Sequence, residues 1–398
     1  MTRALLLLFG FLGTALLSAQ DLVPVTFKAF PPEYELMLRG DRQSYNLRGD
    51  GLRVYSLPTG AVRVTLIAGG SAPLGLNLDV KQGMAAVQAK LETRIGPLTL
   101  AGEAATGKAP RSVTFSPDGK SVFVALLGEP GVDVYTVPGL KKVKRLVAPE
   151  GTQSGFTDVL TLGNELWAVQ NDGRIHVFDA TTLAYKDSKD LTGGGNAFLT
   201  DQGGGKVAVV NWDNGQMVSV DVSTRKPLAT LSTTASLRGF AFGQGTGFAT
   251  LFDRGQVAVI DGASWKVKAS WAAGRAPRPV AFLGKQLFVG DMGSAQVLIL
   301  DASTGKLLGS AAVPSNPHQM TASKDLVAVA SRGRNNPADY QQPGPEYGKV
   351  TLFDAKGAVV SSVWGRNQPT GLALSADGRY LAFTDYLDNN LELYRINR

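Results

Sequence analysis

Five stretches of the chain close an alternating apolar run on an acid: IHVFD ending at Asp179, MVSVD at Asp221, VAVID at Asp261, VLILD at Asp301 and VTLFD at Asp354. The first four acids are spaced by 42, 40 and 40 residues and the last by 53, so one unit is copied, once with a long insertion. Apolar and polar side chains that alternate belong to strands whose two faces meet different surroundings. A single small sheet cannot bury its own faces, so a repeat of about forty residues built from short strands points to sheets stacked around an axis, a β-propeller. Two weaker copies, VDVYT around Asp133 and LELYR around Glu392, follow FSPDGKSVFVA and LSADGRYLAFT and bring the number of blades to seven.

The pairs Asp118-Gly119 and Asp377-Gly378 are hairpin dipeptides and predict the link between first and second strands of a blade. The chain stops where the last blade needs a fourth strand, while residues 97–104 supply an unclaimed one before the first blade. That early strand is expected to pair into the last blade, which removes open sheet edges. Residues 23–95 carry short strands without the repeat, among them VTFKAF, LRVYSL and VRVTLIA, and read as a small β-sandwich. Residues 1–19 read as a secretory signal, with Arg3 before a leucine-rich run from Ala4 to Leu17 and then Ser18-Ala19. No later stretch is apolar enough for a spanning helix. The expected chain is therefore all-β and periplasmic or extracellular: a signal at 1–19, a small sandwich at 23–95 and a seven-bladed propeller at 97–398 closed by its N-terminal strand.

Phrases such as VLILDASTGKLLGSAAV and VSVDVSTRKPLATLS, each followed by a proline that opens the next unit, resemble the YVTN or YncE-like bacterial propellers over 97–398. The resemblance implies a fold and leaves activity open among binding proteins, lactonase-like hydrolases and quinone-dependent dehydrogenases. The run LPTGAVRVTLIA is similar to PEGA-type domains of bacterial surface proteins, and an arbitrary β-domain that caps the propeller is the equal alternative.

The chemistry available is narrow. With no cysteine and two histidines, thiol nucleophiles and multi-histidine metal sites are excluded. No G-x-S-x-G elbow, Walker loop or H-E-x-x-H helix is present. The glycine runs at 193–195 and 203–205 fit turns, and His176 in IHVFD fits a packed histidine. Composition, at 44% hydrophobic, 18% charged, 47 glycines and 20 prolines, suits an exported all-β protein. The net charge of +7 falls to +6 without Arg3 and has no basic cluster interleaved with aromatics, so nucleic acid is not expected as a partner.

Aligned at the residue where each innermost strand begins, the repeats place Arg111, Thr157, Asn196, Arg238, Arg278, His318 and Thr370 near one mouth of the central channel. Converging guanidinium forks suit carboxylate or phosphate, each donating paired hydrogen bonds. The alternative is that these are solvated turn residues or pair with acids such as Asp253 and Asp291. The insertion from Ser331 to Gly348, SRGRNNPADYQQPGPEYG, is expected on the same face, bringing Arg332, Arg334, Asn335, Asn336, Tyr340, Glu346 and Tyr347 beside His318. The reading that follows is a non-enzymatic binding protein without cofactor, capturing an anionic small molecule, a cell-envelope polymer or a protein partner through Arg111, Arg238, Arg278, His318, Arg332, Arg334, Asn335 and Tyr340. The runner-up is a hydrolase with one cation on oxygens drawn from Asp158, Asp291, Asn196, Asn211 and Asp385. A quinone-dependent oxidoreductase comes third.

Overall fold

The computed structural model describes residues 22–30, 34–38, 41–50, 52–68, 71, 73–91, 94–149 and 154–397. The expected secretory segment, residues 1–19, lies outside them. Apart from one 3-10 turn at Phe252–Arg254, the regular structure of the described residues is all strand, and no helix among them is long and apolar enough to cross a membrane.

Two four-stranded sheets come first, one joining Leu22–Phe30 to Arg53–Pro58, the other joining Glu35–Leu38 to Gly60–Ile67. Their alternating apolar positions, Val23, Val25 and Phe27 on one sheet and Leu36, Val64 and Leu66 on the other, meet in a single core. Such alternation is what a sheet with one solvated face requires.

From residue 110 six four-stranded antiparallel meanders follow in sequence, spanning 110–146, 156–190, 197–232, 237–272, 277–312 and 317–364. In the seventh sheet, Pro369–Leu374, Tyr380–Asp385 and Asn390–Ile396 are completed by Leu98–Ala105, which pairs antiparallel with Asn390–Ile396 from Leu98↔Ile396 to Ala105↔Asn390. Each first strand packs on the next, and Pro369–Leu374 packs on Pro110–Phe115, so the first strands form a closed circle. Between neighbouring sheets lie apolar layers such as Trp167, Val169, Val177, Val209 and Val218. His176 belongs to another such layer, fully buried against Phe156 and Tyr185 with Nε2 2.9 Å from Gln170 Oε1.

The repeated acid has a local cause. Asp221 Oδ1 accepts from Thr224 N–H at 2.7 Å and from the hydroxyls of Ser223 and Thr224, and Asp301 Oδ1 accepts from Ser303 and Thr304 in the same way. Each carboxylate therefore closes the turn between third and fourth strands by taking donors the backbone leaves free there. These donors, the Thr224 N–H leading at Asp221 and the Ser303 hydroxyl at Asp301, hold both acids down at about 2. In the weaker copies the strand registers put Thr136 and Arg395 at that position. Asp133 and Glu392 lie three residues earlier and are fully buried, Asp133 bound by Lys142, Arg145 and the Gly107 N–H. The two Asp-Gly pairs form turns between first and second strands, with Gly119 at φ 69° and Gly378 at φ 67°.

Candidate functional site

The circle of first strands opens on a cavity of about 400 Å³ whose lining includes Arg111, Arg238, Arg278 and His318. A repeated irregularity aims these residues. In the first sheet Pro110 pairs with Leu126 and Ser112 with Ala125, so Arg111 is left out of the ladder. Thr157, Arg238 and His318 are left out in the same way, and wider slips bypass Arg278 and Thr370. A bulge of this kind turns an extra side chain away from its strand's regular alternation. The third sheet has no such slip, since Ala197↔Asn211 is followed directly by Phe198↔Val210. Asn196 therefore precedes the strand and does not join the ring, and its backbone and side-chain N–H groups donate to Asp213. Thr157 lines the cavity, its hydroxyl donating to the Ala197 carbonyl, whereas Thr370 is buried outside the lining and donates to the Gln368 carbonyl.

Arg111 and Arg278 converge on one atom. Nη1 of Arg111 lies 3.1 Å and Nη2 of Arg278 2.7 Å from Nε2 of His318. A guanidinium can only donate, so that nitrogen carries the lone pair and the imidazole proton sits on Nδ1, which is buried without a partner. Burial, then the charges of Arg278, Arg332 and Arg111, keeps His318 neutral, far below the usual histidine range. Burial likewise depresses Arg111 and Arg278, and no acid offsets this at Arg278.

A second circle comes from the residue that follows each second strand. Its N–H donates to the carbonyl just before the first strand of the same sheet: Leu127 to Ala109, Asn171 to Gly155, Trp212 to Asn196, Phe252 to Ser236, Met292 to Ala276, Arg332 to Asn316 and Tyr386 to Gln368. This bond places Trp212, Phe252, Arg332 and Tyr386 level with the bulged arginines. Arg111 and Arg238 both lie over Trp212 at 5.4 Å, Arg238 also lies 5.9 Å from Phe252, and Arg332 lies 5.4 Å from Tyr386. Where the third sheet supplies no bulged residue, the indole of Trp212 packs on Phe198 instead. Aromatic faces thus hold the guanidinium planes while leaving their N–H edges free. Arg332 is driven down to about 9, by burial first and then by Arg111, and its Nε is buried and unpartnered.

Among the described residues none of Arg111, Arg238, Arg278 and Arg332 forms an ion pair with a carboxylate. The nearest acid is Asp158, which accepts from Ser112 Oγ at 2.5 Å and Leu199 N–H at 2.7 Å and so ties three first strands together. Burial pushes it up to about 6 against the pull of those donors and of Arg111.

Four expected positions join the mouth in full, Arg111, Arg238, Arg278 and His318, and from the insertion Arg332 joins them. Tyr340 is exposed, and its backbone carbonyl accepts from Gln368 Nε2. Arg334 and Asn335 do not lean over the mouth. Arg334 pairs with Asp41 of the N-terminal sheets and with Glu346, and Asn335 is exposed. The acids lie outside the mouth while the mouth itself is cationic, which sends Arg334 outward. Arg42 holds the same loop, its N–H 2.6 Å from Pro345 O and its guanidinium 3.8 Å from the centre of the Tyr347 ring.

The oxygens considered for a cation do not converge. Asp291 accepts from the N–H groups of Arg275, Ala276 and Gly293, Asp385 from that of Arg366, and Asn211 holds the 192–196 loop. Among the described residues no group of three or more acids and histidines suits a metal ion.

Comparison with solved structures gives the same architecture. The chain aligns with a crystal structure of a mitotic checkpoint complex at a TM-score of 0.62, with 17% identity over 82% of this chain and 98% of that one. It aligns with the Pan2 WD40 domain of Neurospora crassa at 0.59, with 12% identity over 76% of this chain and 96% of that one. The fold is a β-propeller. No family model matches the chain. A curated relative, antigen Lp49 of Leptospira interrogans serogroup Icterohaemorrhagiae serovar copenhageni (strain Fiocruz L1-130), is 29% identical over 319 residues, which are 73% of this chain and 68% of that protein.

Proposed function

We propose that this is an exported, non-enzymatic binding protein whose propeller mouth captures an anionic ligand, be it a small molecule, an envelope polymer or an acidic partner. In this reading the seven sheets of 97–398 are seven blades closed by Leu98–Ala105, related to the YVTN or YncE-like propellers. The two sheets of 23–95 form a separate small sandwich, and residues 1–19 direct the chain to the periplasm or the cell exterior. The observation that carries the reading is the set of three arginines, Arg111, Arg238 and Arg278, that line one cavity with no carboxylate partner among the described residues, with Arg332 close behind them. Burying unpaired like charges is costly, and a bound anion is what offsets it. A thermal-shift screen of carboxylates, sugar phosphates and cell-wall fragments tests this, because a ligand of the folded state stabilises it by mass action. Anionic compounds are expected to stabilise the parent and to lose that effect in the Arg238→Ala, Arg278→Ala variant. An equal shift in both proteins would sink the proposal.

A further inference from the structure

The mouth has far more donors than acceptors. Each guanidinium carries five N–H groups. Arg111 and Arg278 share the single lone pair of His318, to which Arg278 adds the Met292 sulfur at 3.8 Å. Arg238 makes no hydrogen bond among the described residues and is held by Trp212 and Phe252, while Arg332 rests on Tyr386. One carboxylate accepts two forks at most in the paired geometry. A single oxyanion would therefore satisfy Arg111 and Arg278, replacing the His318 lone pair, and leave Arg238 and Arg332 as they are. Charge points the same way, with three lining guanidinium groups and the neighbouring Arg332 set against two lining acids, Asp158 and the exposed Asp201. Asp158 lies beneath the ring, bound to Ser112 and Leu199, so it holds an anion at the mouth rather than letting it pass deeper. The cavity, at about 400 Å³, has the size of small-molecule sites.

We propose that the ligand is a compact polyanion, a small molecule bearing two or more carboxylate or phosphoryl groups, with one group on Arg111 and Arg278 beside His318 and another on Arg238, which shares the Trp212 face with Arg111. This rests on the anion-capture reading and narrows it. The test is calorimetric titration of the full chain, in a low-salt chloride buffer, with acetate, inorganic phosphate, citrate and pyrophosphate. Citrate or pyrophosphate should bind at least tenfold tighter than acetate and phosphate, and whichever is tighter tells polycarboxylate from polyphosphate. Arg238→Lys, which keeps the charge but loses the fork, should reduce the polyanion affinity about tenfold and leave phosphate within about twofold, with an unchanged circular dichroism spectrum showing that the ring is intact. Equal affinity for monoanions and polyanions would overturn the proposal and leave anion capture standing. Binding of an acidic polysaccharide without citrate or pyrophosphate would overturn the compact ligand, and no binding of any anion would overturn both readings.

Discussion

Replacing Arg332 by methionine should make the protein more stable and less able to bind. Burial and the nearby Arg111 charge bring this arginine down to about 9. Holding it charged at neutral pH then costs at most about 5 kcal/mol. The mouth is open to solvent on one side, which screens part of that cost, and the stacking on Tyr386 returns about 1 kcal/mol. Methionine keeps the length and the contact with the tyrosine ring while removing the charge. The net gain expected is about 1–3 kcal/mol, in the range seen when buried charges are replaced by apolar groups. For a unit of roughly 300 residues 1 kcal/mol corresponds to about 1.5 °C, so the melting temperature should rise by about 2–5 °C. The sign with pH follows from a depressed cation: its penalty is fully present below its folded pKa and fades as pH rises through and beyond about 9. The gap between parent and variant should thus be constant from about pH 6.5 to 8.5 and shrink above 9. The assay is scanning calorimetry in chloride at low salt, without phosphate or citrate, repeated with citrate or pyrophosphate. Added polyanion should raise the melting point of the parent more than that of Arg332→Met and so narrow or reverse the order. A variant that melts below the parent in the absence of polyanion would refute the view that these arginines are held against their own electrostatics.

Because the chain has two histidines, a long-range nitrogen-15 NMR spectrum can read the His318 tautomer directly: Nε2 should be unprotonated, and the ring should stay neutral as pH falls through the usual histidine range, where the unfolded chain titrates near 6.5. Its share of stability should accordingly be lost as pH falls through about 6.5, since only the unfolded chain takes up that proton. The buried carboxyls of Asp385, pushed up to about 7, and Glu392, raised well above the usual carboxylate range by burial and by Asp385, retain protons that the unfolded chain sheds near pH 4, so stability should fall as pH rises from about 4 through 7. Glu392→Gln, still able to accept the Tyr394 hydroxyl, should flatten that fall and exceed the parent by about 1–2 kcal/mol at pH 8 in urea unfolding. Trp212→Leu removes the face on which Arg111 and Arg238 lie and should weaken anion binding about tenfold while abolishing the ligand-dependent change in tryptophan fluorescence. Asp41→Ala breaks an exposed pair with Arg334 and should leave affinity unchanged and stability within about 1 kcal/mol, which a titration and a melt check together.

The repeat was legible in the sequence because its strongest mark, the acid that ends the third strand, performs one local task in every strong copy. Asp221 and Asp301 cap turns through residues two and three places on, and such short-range chemistry leaves a fixed spacing. Arg111, Arg238, Arg278 and His318 were legible for a related reason, each following the residue that starts its strand. The bulges themselves were not. A ladder slip is set by the pairing of two strands, and nothing in LRGF or PRPV announces it. Asn196 was misplaced on that account, since the third sheet pairs without a slip and the alignment by chain position has no matching residue there. Arg334 was misplaced because its partner, Asp41, is remote in sequence. Trp212, Phe252 and Tyr386 carried a signal that alignment of the second strands would have exposed, each being the first residue after one.

The two circles divide the work of the mouth. Bulged residues reach inward with charge, and the residues after the second strands supply the surfaces that orient it. Their positions are fixed by backbone bonds that recur in all seven sheets, so the arrangement does not depend on a ligand to be assembled. A site prepared in this way keeps its donors in place against mutual repulsion, with the rigid ring of sheets bearing the strain, and little ordering remains to oppose binding. The same geometry explains why His318 belongs among the arginines. A neutral imidazole gives Arg111 and Arg278 one common acceptor, weaker than a carboxylate, and an arriving oxyanion can displace it. An aspartate there would have paired with both arginines permanently and closed the site.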